Sequence, residues 1–290
     1  MNCPWCNHGG FRTRYRLPEF RVVVCSQCEL LYNRDFLSVH TDAQGIFSDE
    51  YYNEVQKEAF EHARNPKERD ASAPLYEAGL SVVESRNGKG RVLDVGCAFG
   101  SFLRLAEQRG WEVSGVELSH YSSRFAREEM GFDVQTGTLT SVSLARDGFD
   151  LVTFWDVLEH VTEVRKNLET ANSVLKDGGH LIITTDNYHS LLSFIADLTY
   201  RGTGGVITYP VERFFIPYNS CYFKPPDLRQ MLQDSGFDEV FAKGIDYPID
   251  KIKLGTLERP VLKLLYAVGD LLNRNSQILI IARKAENTGK

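Results

Sequence analysis

From Ala73 onward, short apolar runs alternate with segments whose apolar residues recur every three or four positions. The first kind reads as buried strand and the second as amphipathic helix. A helix over about 73–86 precedes a strand over 91–95, then come helix 101–109, strand 111–116, helix 119–130 and strand 132–135. The series continues with strand 149–155, helix 162–175, strand 180–185 and helix 189–200. A helix over 227–235 stops at Gly236 before strand 238–243, and a helix over about 259–273 leads into strand 276–284. Strands separated by helices predict a doubly wound, mainly parallel α/β sheet with right-handed crossovers. Ligands of such sheets bind beyond the carboxyl ends of the strands. Asp94, Glu117, Asp156 and Asp186 all stand at those ends.

The first 36 residues follow another pattern. Cys3-x-x-Cys6 and Cys25-x-x-Cys28 are separated by 18 residues. Two such tight turns supply a tetrahedral zinc shell, and four cysteines leave no open position, so the expected Zn2+ is structural. Residues 1–36 are therefore read as a small zinc ribbon, 37–75 as a helical connector with a helix from Ser48 to about Arg64, and 76–290 as the main domain. Within the last, 201–226 reads as a substrate lid: glycines for mobility, then Tyr209, Phe214, Phe215, Tyr218, Tyr222 and Phe223 to wall a pocket for a sugar or ring. The apolar stretch Leu257–Asn273 reads as a helix packed on the core, with peripheral membrane contact as the alternative.

Residues 91–100, Arg-Val-Leu-Asp-Val-Gly-Cys-Ala-Phe-Gly, carry the chemistry. An apolar run stops at Gly96 and Gly100 and a helix begins at Ser101, which exposes backbone where a ligand can approach closely. Glu117 lies 21 positions past Gly96, placed to accept hydrogen bonds from ribose hydroxyls. A dinucleotide turn wants Gly-x-Gly-x-x-Gly; here Ala98 fills the middle position and Asp94 precedes the turn. A carboxylate there repels pyrophosphate and suits a ligand bearing an ammonium and a sulfonium, which points to S-adenosylmethionine.

Val92-Leu-Asp-Val-Gly-Cys-Ala-Phe-Gly100 resembles the first motif of the class I S-adenosylmethionine-dependent methyltransferases. Three later segments agree in order: Val113-Ser-Gly-Val-Glu117-Leu118-Ser119, Phe149 to Val161 with Asp156-Val-Leu-Glu159-His160, and Leu175-Lys-Asp-Gly178-Gly179-His-Leu-Ile-Ile183. The resemblance covers about residues 76–285 and implies a Rossmann-like, seven-stranded sheet ending in an antiparallel strand, which Gln277–Ala282 fits. It implies Asp94, Gly96, Cys97 and Gly100 at the methionine end of the cofactor, Glu117 on the ribose and Leu118 against the adenine. Relatives often place an Asp where Thr138 stands, so Thr138 or backbone atoms take the adenine contact. Asp156 lines the methyl side. His160 is the candidate general base, because imidazole titrates near neutrality. Glu159 is assigned to helix entry. Cys97 suits packing inside the turn, and Cys221 has no neighbours that mark it as a nucleophile.

Composition narrows the partners. The 290 residues are 42% hydrophobic and 25% charged, as in soluble globular proteins, and the net charge is −6. That balance speaks against a generic polyanion binder, and nucleic acid is not the expected partner. The ribbon's Arg12, Arg14, Arg16, Arg21 and Arg34 are offset by acidic residues and by the thiolate cluster itself. No run approaches the roughly 20 apolar residues of a membrane span, no secretory leader is visible, and a cytoplasmic location is expected. The leading function is methyl transfer to an oxygen of a small molecule or glycan. An RNA methyltransferase gripping its substrate with the ribbon is the first alternative, and a non-catalytic binding protein on the same fold is the second.

Overall fold

Beyond Ala73 the expected alternation runs through the computed structural model, which describes residues 1–36, 70–249, 252, 256 and 258–286. The connector helix expected over 48–64 lies outside the described residues. Helix α1 (Ala73–Asn87) leads into β4 (Arg91–Val95), α2 (Ser101–Gln108), β5 (Glu112–Glu117), α3 (His120–Glu128) and β6 (Asp133–Thr136). Then follow β7 (Phe149–Trp155), a single tight helical turn (Leu158–His160), α4 (Val164–Val174), β8 (Leu175–Asp186) and α5 (Leu191–Gly202). The chain ends with α6 (Tyr209–Phe214), β9 (Cys221–Tyr222), α7 (Pro225–Asp234), β10 (Phe237–Ile245), α8 (Glu258–Leu271) and β11 (Gln277–Lys284).

Seven strands form one sheet in the order β10-β11-β8-β7-β4-β5-β6. All neighbours from β8 to β6 run parallel, and β11 is antiparallel to both β8 and β10. The central strands read as unbroken apolar runs because helices cover both faces: Val92, Leu93, Leu151, Val152, Leu181 and Ile182 are all fully buried. From β4 the chain moves outward to β5 and β6, then returns to place β7 on the other side. That reversal opens a crevice at the carboxyl ends of β4 and β7.

The N-terminal strands β1 (Phe11–Arg16), β2 (Arg21–Cys25) and β3 (Leu31–Asn33) form an antiparallel sheet, and β9 completes it as a fourth strand. Leu31 pairs with Tyr222 and Tyr32 with Cys221. The ribbon and the main domain thus share a sheet and a core. Tyr15, Phe20, Val22 and Leu31 pack with Tyr188, Phe215 and Tyr222, while Cys3, Trp5 and Tyr32 join the main core with Phe223.

Three expectations are corrected. Strand β8 starts five residues before the expected 180, because Gly178 at φ +74° and a register shift opposite Phe149–Leu151 absorb the Gly-Gly turn as a bulge. The aromatics of 201–226 do not wall a substrate pocket as a set: Phe215, at the end of α6, and Tyr222 and Phe223, in and just after β9, are buried against the ribbon and the core. Helix α8 is not core-packed. It lies beside α5, only Gly269 is buried, and Val261, Leu264 and Leu271 remain 57%, 64% and 82% exposed. Among the described residues no helix is long and apolar enough to cross a membrane.

Tyr222 tests the shared core. Its ring centroid lies 4.8 Å from that of Tyr188 and 5.0 Å from that of Phe215. Tyr222→Ala is expected to cost about 3–5 kcal/mol, the usual range for truncating a buried aromatic, read as a lowered urea midpoint.

Candidate active site

Three residues in five take positive φ after β4: Gly96 at +73°, Ala98 at +46° and Gly100 at +84°. A Cβ on Gly96 would lie 2.6 Å from Val157 Cγ2, and one on Gly100 would lie 2.8 Å from the Phe132 ring. Both positions therefore need glycine on grounds of space as well as conformation. The N–H groups of Gly96 and Cys97 donate to the Val116 carbonyl at 2.7 and 3.2 Å, which ties the turn to β5. The Glu117 carboxylate makes the second tie. Its Oε2 accepts from Ala98 N at 2.9 Å and its Oε1 from Ser119 N at 2.8 Å. Ser119 in turn caps α3 through Ser122 N. Cys97 is a packing group, as its surroundings demand: Gly115 leaves room for its sulfur, and burial beside Glu117 and Asp94 drives its thiol well above the ordinary range.

These turns border a cavity of about 520 Å³, within the range of small-molecule sites. On the β4–β6 side its wall includes Asp94, Gly96, Cys97, Glu117, Leu118 and Thr138. Thr138 is exposed, and its hydroxyl lies 3.3 Å from that of Thr140. On the β7–β8 side stand Asp156 and His160. Of the residues assigned above to the cofactor or to catalysis, Gly100 alone is off the wall; it closes the turn from behind, over Phe132. The structure adds Glu159, Asp186, Asn219, Tyr76 and Gln277. Glu159, assigned above to helix entry, is instead buried and turned into the cavity; α4 begins only at Val164. Asp186 is visible in the sequence as a strand-end acid, whereas Asn219 carries no signal there.

Charge on this wall is one-sided. Seven carboxyl groups line it, and among the described residues no lysine or arginine does. Asp94 is buried, accepts from Thr153 Oγ1 at 2.7 Å, and is pushed up to about 8 by burial, with Glu117 adding to the effect. Asp186 rises to about 7, first through burial and then through Asp156. Glu159 is driven well above the carboxylate range by burial, Asp156 and Asp186, and its Oε2 has no protein partner. Asp156 sits at φ +54°, its N–H on Thr184 and its Oδ1 accepting from Gln277 Nε2 at 3.1 Å. His160 Nδ1 lies 2.9 Å from the Tyr218 carbonyl, which can only accept, so Nδ1 carries the proton and Nε2 the lone pair. Burial lowers the pKa of this imidazole, partly opposed by that carbonyl.

A second constellation stands at the N-terminus. The Sγ atoms of Cys3, Cys6, Cys25 and Cys28 lie within 4.8 Å of one another, with Cys3–Cys28 and Cys6–Cys25 each at 3.5 Å. These donors could hold one metal ion.

A family model described as a methyltransferase domain matches residues 60–240. The ubiquinone biosynthesis O-methyltransferase of Idiomarina loihiensis is 28% identical over 164 residues, covering 53% of this chain and 64% of that protein, so the chain spans just under two thirds of its length. The enzyme of the same name from Marinobacter nauticus is 28% identical over 206 residues, covering 63% of this chain and 81% of that one. The fold matches the crystal structure of an S-adenosylmethionine-dependent methyltransferase from Archaeoglobus fulgidus with a TM-score of 0.52 and 23% identity, over 78% of this chain and 98% of the other.

The turn is open to a direct test. Gly96→Ala is expected to lose about 1–3 kcal/mol of stability through the clash with Val157 and the positive φ. Adding Val157→Ala should return the steric part and leave the conformational part, read by comparing denaturation midpoints of the two variants.

Proposed function

The chain belongs to the class I S-adenosylmethionine-dependent methyltransferases, and we propose that it methylates an oxygen of a small-molecule acceptor. The observation that carries the cofactor reading is the wall of seven carboxyl groups, Asp94, Glu117 and Glu159 among them buried, without a facing lysine or arginine among the described residues. Such a wall disfavours pyrophosphate and favours an ammonium and a sulfonium. The O-methyl reading rests on the activity named for the curated relatives.

Asp94, Gly96 and Glu117 would hold the methionine and ribose ends, with Cys97 filling space behind the turn, and Leu118 and Thr138 would lie along the adenine. When bound, S-adenosylmethionine supplies a methyl group already activated by positive sulfur. The chain's own work is alignment and exclusion of water. Asp156, fixed by Thr184 and Gln277, would orient the acceptor hydroxyl, and His160 Nε2 would take its proton. The four thiols fit a structural zinc: with Zn–S near 2.3 Å, a tetrahedral site needs S–S edges of about 3.8 Å, close to the separations present. Such a centre cross-links the ribbon and leaves no open coordination position. Cysteines gathered as metal ligands rather than in disulfides accord with a reducing compartment, so we read the enzyme as cytoplasmic.

Two measurements test the assignment. With the empty-site pKa of Asp94 near 8, its carboxyl is mostly protonated at pH 7, and an arriving cation should expel that proton. Calorimetry of S-adenosylmethionine binding in buffers of different ionisation enthalpy should therefore show proton release at pH 7. Asp94→Asn should abolish the release and weaken binding by about 10- to 100-fold, the scale of a lost charge-assisted hydrogen bond; unchanged affinity and proton count would sink the cofactor assignment. For His160, a base acts in its neutral form, so activity should rise with pH through a midpoint below the ordinary 6.5. His160→Ala should reduce turnover about 100-fold or more with cofactor affinity unchanged. An unaltered rate would assign the imidazole to packing.

A further inference from the structure

The ribbon holds the β7–β8 side of the cavity from two directions. From one direction acts Asn33, the last residue of β3 and fully buried. Its N–H donates to the Ser220 carbonyl at 2.9 Å and its Nδ2 to the Pro217 carbonyl at 3.1 Å. Ser220 passes the constraint on: its N–H donates to the Glu159 carbonyl at 2.8 Å, and its Oγ lies 3.0 and 2.5 Å from the carbonyls of Glu159 and Val161. Between Pro217 and Ser220 sit Tyr218, whose carbonyl meets His160, and Asn219, whose Nδ2 donates to the Tyr188 hydroxyl.

From the other direction acts the first cysteine turn. Pro4 and Trp5 lie between the two ligand cysteines Cys3 and Cys6. The Pro4 carbonyl accepts from Val164 N at 3.0 Å, and the Trp5 ring lies under the Arg165 guanidinium at 3.9 Å. Residues 158–161 are thus clamped between the Cys3–Cys6 turn, through the start of α4, and β3, through Ser220. The cofactor side is tied differently. Its anchors are Val116, Glu117, Ser119 and Thr153, all within the main domain.

We propose that the four-cysteine centre is a positioning device for the acceptor half of the cavity: closing both cysteine turns on one metal ion sets Asn33 and Pro4, and through them His160, Glu159 and Asn219. The division into a cofactor half and an acceptor half rests on the functional reading above. Asn33 is a positioning residue, acting through 217–220 rather than on the substrate. Loss of the metal or of the Asn33 amide should loosen the acceptor half and spare the cofactor half.

The experiment uses the full chain in three forms: as purified with zinc, stripped by a chelator, and as Asn33→Ala with zinc. Amide hydrogen exchange is followed in 158–161 and 216–222 and, as the internal reference, in 92–100 and 113–119; calorimetry with S-adenosylhomocysteine runs in parallel. Exchange in the first pair of segments should accelerate about tenfold or more in both altered forms, with the reference segments and the dissociation constant unchanged. Adding zinc back should restore the stripped protein. Unchanged exchange at 158–161 and 216–222 in either altered form overturns the proposal. So does equal acceleration of all four segments with loss of ligand binding, which would make the ribbon a general part of the fold. If the zinc-loaded protein itself ignores S-adenosylhomocysteine, the functional reading fails while the exchange comparison still reports on the tether.

Discussion

A carboxylate taken out of water must find hydrogen-bond donors or give up its charge. Glu117 finds them in two backbone N–H groups, one from the turn before α2 and one from the turn before α3. That arrangement locks the carboxyl ends of β4 and β5 together and gives the crevice its floor. The left-handed residues Gly96, Ala98 and Gly100 are what bring Ala98 N round to face the carboxylate. Asp94, one strand over, has one strong partner in Thr153, and burial pushes its carboxyl up to about 8. Neighbouring acids at equivalent strand ends thus differ in character because their backbone surroundings differ.

The parts of the fold legible in the sequence are those decided by neighbours in the chain. The strands around β4 are apolar throughout because the sheet is covered twice, and the glycines of the first turn are forced by local geometry. Strand-end position alone placed Asp94, Glu117, Asp156 and Asp186 where the cavity forms. What escaped was decided by partners far away. Phe215, Tyr222 and Phe223 look like a pocket lining until β9 is paired with β3, some 190 positions earlier in the chain. Glu159 looks like a helix-start acid until α4 is seen to begin later and Ser220 to fix its backbone. Asn219 is an ordinary loop residue in sequence, and only its complete burial beside Tyr188 marks it.

Helix α8 shows the limit of amphipathic pattern as a guide. Its apolar residues at 261, 264, 268 and 271 form one stripe with helical spacing, which normally faces a core. Here the contact with the domain is made by the small residue Gly269, close to Leu191 of α5, and the stripe turns outward. Phe194 and Leu198 of α5 are exposed as well. Periodicity identifies which residues share a face but not which face the rest of the chain covers.

Because a two-residue strand from the last third of the chain completes the N-terminal sheet, the two regions are not separable cassettes. A ribbon grafted from a relative would meet a foreign edge at Cys221–Tyr222 and a foreign loop beneath Asn33. An insertion of a single residue in 217–220 would turn Tyr222 to the opposite face of the sheet. Exchange among such chains, in the laboratory or in descent, therefore has to carry residues 216–222 together with the first 36.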